Sequence, residues 1–102
     1  MIFSSLVPPS VFIDHDEVTT SVGETVTVHC TANGTPLAQI SWYKGRKKIK
    51  PSRRIALSSQ GHLVINAVQI SDQGFYTCLA NNIAGKDSLT IIFQVQGKFN
   101  SL

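Results

Sequence analysis

The chain has 102 residues, 42% of them hydrophobic and 15% charged, with nine Lys and Arg against six Asp and Glu and a net charge of +3. That length makes one domain with a core of its own, and the apolar content excludes an intrinsically disordered chain. No apolar run approaches the roughly 18 residues that a membrane-crossing helix needs, so direct membrane insertion is not expected.

The opening stretch through Leu6 lacks the basic start and long apolar run of a secretory signal. Residues 1–7 read as a leading segment or linker, 8–96 as the domain, and 97–102 as linker or C-terminal extension, as in one module of a longer protein. Val7-Pro8-Pro9-Ser10-Val11 opens an edge strand, because proline cannot donate to a ladder. Phe12 and Ile13 continue it, and Asp14-His15-Asp16-Glu17 breaks it before Val18–Val22 resumes extended structure. Glu24–Ala32 alternates most clearly, with Val26, Val28, Cys30 and Ala32 on one face and Thr25, Thr27, His29 and Thr31 on the other.

Asn33-Gly34-Thr35-Pro36 carries the chemistry of a loop. Gln39–Lys44 is a strand with Ile40 and Trp42 inward and Ser41 and Tyr43 outward, and Gly45 turns a hairpin after it. Arg54–Leu57 and Gly61–Asn66 are two further strands, and Ile70–Gln73 is a turn. The last hairpin joins Phe75–Asn81 to Lys86–Gln96 through Asn82–Gly85, with Leu89, Ile91, Phe93 and Val95 inward.

Two cysteines, Cys30 and Cys78, have neither zinc-ligand nor Cys-x-x-Cys spacing. Around them stand Trp42 and the run Asp72-Gln73-Gly74-Phe75-Tyr76-Thr77-Cys78, in which Tyr76 and Cys78 share one strand face. Cys, then Trp, then Asp-x-Gly-x-Tyr-x-Cys resembles the framework of the immunoglobulin superfamily. Gly34, Pro36, Ile40, Leu63-Val64-Ile65, Val68 and Ala80-x-Asn82-x-x-Gly85 narrow the resemblance to the intermediate, or I-set, class. It spans about Pro8 to Gln96.

The resemblance implies an all-β fold, a two-sheet antiparallel immunoglobulin-like sandwich of Greek-key topology. It also implies a Cys30–Cys78 disulfide with Trp42 packed on it, and a tyrosine corner of Tyr76 and Asp72. A closed loop of that length contributes about 4 kcal/mol in the chain-entropy model. A disulfide implies an oxidising compartment, whereas two buried thiols are the pattern of intracellular muscle relatives. The family context is adhesion receptors, matrix proteins and receptor ectodomains, with sarcomeric spacers as the alternative.

No catalytic residue, cofactor or metal is expected. His15, His29 and His62 sit near no nucleophile pattern and read as solvated surface histidines, and neither a glycine-rich phosphate loop nor a ligand cluster appears. Asn33-Gly34-Thr35 is a glycosylation sequon.

The basic residues are the sharper signal. Lys44, Arg46, Lys47, Lys48, Lys50, Arg53 and Arg54 fall in one stretch, and no Asp or Glu lies between Thr25 and Ser71. Such density suits a polyanion, heparan sulfate or a similarly acidic partner. Arg54 is set apart, since family members pair a basic residue here with the corner Asp. Nucleic acid is not expected, because no aromatic residues interleave with the cations to stack bases. A second candidate surface is the outer face of the sheet holding Trp42 and Tyr76, where Tyr43, Leu79 and Ile92, with Thr77 and Thr90, would meet a protein partner, homophilic or heterophilic.

Overall fold

The structure is a computed structural model and describes residues 5–97. The chain runs through β1 (Val7–Ile13), β2 (Glu17–Ser21), β3 (Val26–Val28), β4 (Cys30–Thr35), β5 (Gln39–Lys44), β6 (Lys47–Lys48), β7 (Ile55–Leu57) and β8 (Leu63–Ile65). A single 3-10 turn at Ile70–Asp72 then leads to β9 (Gly74–Asn82) and β10 (Gly85–Gln96). One layer is β2-β10-β9-β5-β6; the other combines β3-β8-β7 with the β1-β4 pair. The leading and trailing segments expected from the sequence fall mostly outside the described residues.

Strand by strand, the sequence pattern explains the pairing. Pro8 and Pro9 lie where the β1–β4 register shifts, between Val7 and Ser10, since neither can donate a ladder bond. The acidic break at 14–16 carries the chain from one layer to the other, and β2 then pairs with the end of β10. That pairing is parallel, Glu17 against Ile92 through Ser21 against Gln96, so the sandwich is not wholly antiparallel as expected.

Three further readings need correction. The single strand expected over Glu24–Ala32 is split at His29: β3 pairs with β8, whereas β4 pairs with β1. At the break, the Cys30 N–H donates to Nδ1 of His62 at 3.2 Å instead of to a strand carbonyl. His62 is therefore half-buried and hydrogen-bonded, not a solvated strand residue, and it precedes β8. Asn33, Gly34 and Thr35 belong to β4, with Asn33 opposite Ser10 and Thr35 opposite Val7. The turn comes after them, at the cis Thr35–Pro36 bond.

The core lies between the layers. A disulfide joins Cys30 to Cys78, and Trp42 is the cross-strand neighbour of Cys78. Trp42 is fully buried, and its indole N–H donates to Gly61 O at 2.7 Å, which satisfies its one polar atom. Leu63, Ile65, Val68, Ile91 and Phe93 complete the centre, each of the larger side chains contributing about 1.5–3 kcal/mol by removal from water. Tyr76 meets Phe93 edge to face at 5.4 Å. Leu89 departs from this pattern. It shares the inward parity of Ile91 but is 42% exposed.

Candidate functional site: a cationic rim and an outer sheet face

The rim is positioned by the packing beneath it. Asp72 is buried and takes both guanidinium nitrogens of Arg54, at 2.8 and 3.0 Å, together with the Gln69 N–H at 2.8 Å. Burial alone would raise the Asp72 carboxyl, but the Arg54 and Gln69 hydrogen bonds and the Arg54 and Lys44 charges outweigh it and hold it below the usual carboxylate range. The Tyr76 hydroxyl donates to Asp72 O. Burial, reinforced by the Asp72 charge, pushes that phenol up to about 12. Arg54 is thus committed to the interior and does not belong to the rim.

Lys44 leaves the cluster as well. Even-numbered positions of β5 face the core, so the end of the strand carries Lys44 inward, where its ammonium donates to Ser71 O and lies 5.7 Å from the Tyr76 ring centroid. The sequence could not separate Lys44 from its neighbours, because its contacts come from the distant turn at Ser71 and from Tyr76 on β9.

Arg46, Lys47, Lys48, Lys50 and Arg53 remain together and are all exposed. Gly45, at φ +60°, makes the tight turn that presents Arg46, and β6 holds Lys47 and Lys48 against Lys44 and Tyr43. Beyond β6, Ile49 packs on the core and its N–H donates to Trp42 O at 2.8 Å, which fixes the backbone between Lys48 and Lys50. Ser52 closes the segment by donating its N–H to Ile55 O at 2.8 Å. None of these five cations makes an ion pair among the described residues.

The outer face of the β2-β10-β9-β5-β6 layer forms the second surface. Cross-strand pairing sets Tyr43 beside Thr77 and Thr77 beside Thr90, and the two threonine hydroxyls share a hydrogen bond of 2.8 Å. Leu79 sits between Ser41 and Ser88, and Ile92 sits opposite Phe75. Tyr43, Leu79 and Ile92 do share one face, all half-buried, but the hydroxyl pair separates them. The most exposed large apolar side chain on this face is Phe75, at 60%, which sequence reasoning passed over. Its signal was available: with Tyr76 inward, the alternation of β9 turns Phe75 outward.

The remaining candidates lie apart. Asn33 is exposed on β4. His15 and His29 are exposed and each approaches Asp14, at 3.5 and 3.6 Å, while His29 meets His62 edge-on at 4.7 Å. No group of three or more ligating side chains able to hold a metal occurs among the described residues.

A disulfide-pinned sandwich with a buried Trp and a tyrosine corner defines the immunoglobulin class. The chain belongs to the I-set family, whose Immunoglobulin I-set domain model matches residues 9–95. It is 36% identical to Hemicentin-2 of Mus musculus over 95% of its own length and 2% of that protein. Against Vascular endothelial growth factor receptor 2 of Coturnix japonica it is 41% identical over 78% of its length and 6% of the receptor. The chain therefore spans only a small share of these relatives. In fold it superposes on a chain from a complex of titin with an obscurin-like 1 Ig domain, with a TM-score of 0.87 at 24% identity, covering 94% of this chain and 100% of that one.

Proposed function

We propose that this domain is a non-catalytic recognition module of an extracellular multidomain protein and that it binds a polyanion, heparan sulfate, through its cationic rim. The observation that carries this is the rim itself: Arg46, Lys47, Lys48, Lys50 and Arg53 exposed together without an acidic neighbour. Arg54 and Asp72 neutralise each other beneath it, so the buried Asp72 carboxylate does not quench the field at that edge. The disulfide favours an oxidising compartment over the intracellular spacer alternative. The exposed sequon at Asn33 and a relative named as a receptor point the same way.

The test is retention on immobilised heparin. Wild type should elute above about 0.15 M salt, where the Debye length is roughly 8 Å, and its affinity should fall steeply as salt rises, because released counterions drive the binding. Replacing Lys47, Lys48 and Lys50 together with Ser should abolish retention and leave the thermal midpoint nearly unchanged. Elution of wild type below that salt would reduce the rim to a solvated edge. A second reading, contact with a protein across the outer sheet face, rests on the exposure of Phe75 beside Ile92.

A further inference from the structure

The two layers do not close on the side between β6 and β7. Lys48–Pro51 form one lip and Leu57–Gly61 the other, and a groove of about 970 Å³ lies between them. Its floor is apolar: Ile40, Ile49 and Leu57 pack against the core yet stay partly uncovered. Lys48 and Lys50 stand on one lip, with Ser58 and Ser59 on the other.

Both lips also present backbone that no neighbour has taken. On the β7 side, the Asn66 N–H donates to Arg54 O at 2.7 Å and the Ser58 N–H to His62 O at 2.9 Å. Alternation along an antiparallel ladder makes Ala56 and Val64 the bonded pair between them, so Leu57 turns its N–H and C=O away from β8. Ile55 turns the same way but is closed by Ser52, whose Oγ accepts the Ile55 N–H at 3.2 Å. Leu57 has no such closure. On the β6 side, the bond from Ile49 to Trp42 O leaves Lys48 as the position turned outward.

We propose that this groove binds an extended acidic peptide segment of a partner protein. The segment pairs with the open backbone of Leu57, seats an apolar side chain over Ile40, Ile49 and Leu57, and directs its carboxylates to Lys48 and Lys50. Charge complementarity selects an acidic occupant, since the stretch from Thr25 to Ser71 holds no Asp or Glu and two of its exposed cations, Lys48 and Lys50, stand on this lip. An extended peptide fits an unpaired sheet edge because main-chain bonds supply affinity and alternate side chains supply specificity. A sulfated glycan would take the lysines but has no apolar group for the floor. The proposal shares Lys48 and Lys50 with the heparan sulfate reading and nothing else, so the two fail separately.

The experiment is nuclear magnetic resonance titration of the isotope-labelled chain with four probes. These are an acetylated heptapeptide of alternating Glu and Val, an all-Glu heptapeptide, the Glu/Val peptide N-methylated at alternate positions, and a heparin octasaccharide. The Glu/Val peptide should shift the amides of Ile49 and Leu57 and bind at least tenfold tighter than either peptide control. Lys48→Ser with Lys50→Ser should weaken it at least tenfold. Equal binding of all three peptides would overturn the proposal, as would unmoved Ile49 and Leu57 amides or binding by the octasaccharide alone. Failure of the wild-type chain to be retained on heparin, with intact Glu/Val binding, would instead remove only the glycan reading.

Discussion

At the scale of single residues, the Asp72–Arg54–Tyr76 set decides how the domain responds to pH and to truncation. Tyr76→Phe removes a buried donor and strands the Asp72 carbonyl, and should cost about 1–3 kcal/mol of stability, read as a lower urea midpoint. The raised phenol adds a signature. Its folded-state value of about 12 exceeds that of an unfolded tyrosine, near 10, so the stability it contributes is complete below about pH 10 and declines as pH rises through 12. The wild-type chain should therefore lose stability across that window more steeply than Tyr76→Phe does, and parallel alkaline limbs would refute the assignment. Asp72 has the opposite sign. Its lowered carboxyl stabilises above the unfolded carboxylate range, and that contribution disappears as acid protonates it.

At the scale of elements, His62 does what a strand carbonyl ordinarily does. Its Nδ1 accepts the N–H of a completely buried cysteine at the point where β3 gives way to β4. His62→Ala leaves that N–H unpaired in the interior and should cost about 1–3 kcal/mol, measured by urea unfolding. An unchanged midpoint would mean that water reaches Cys30. Period-two alternation made most strands legible, along with the inward placement of Cys30, Trp42, Tyr76 and Cys78. What alternation cannot carry is the identity of the neighbouring strand. A strand that changes partners, as at His29, reads as one continuous run, and so does a parallel neighbour such as β2. The same limit hid the status of Asn33–Thr35: glycine and proline there signal a loop locally, but β1 draws the stretch into a pair. The cationic cluster was legible because charge needs no partner to be seen. Separating Lys44 from it required the fold.

At the scale of the whole molecule, the outer face carries apolar side chains that the core does not use. Phe75 and Ile92 lie directly opposite each other, the bonded hydroxyls of Thr77 and Thr90 sit next to them with Tyr43 beside Thr77, and Leu79 lies beyond that pair. Opposite signs mark its two edges, with Glu17 beside Ile92 on β2 and Lys48 beside Tyr43 on β6. A two-fold axis parallel to the strands would lay the Glu17 edge of one copy against the Lys48 edge of another, a self-complementary arrangement of the kind closed dimers use. Concentration-dependent dimerisation is therefore the expected behaviour of the wild-type chain in sedimentation. Phe75→Glu with Ile92→Glu should hold it monomeric, because two like charges directly opposite each other could not pair and would be desolvated at the interface. Phe75 is mostly exposed and Ile92 lies outside the buried core, so the thermal midpoint should move by only a few degrees. Lys48→Ser should weaken the dimer less than the double variant, since exposed ion pairs contribute little. A wild-type chain that stays monomeric at millimolar concentration would refute the self-complementary arrangement and leave the face to a different protein.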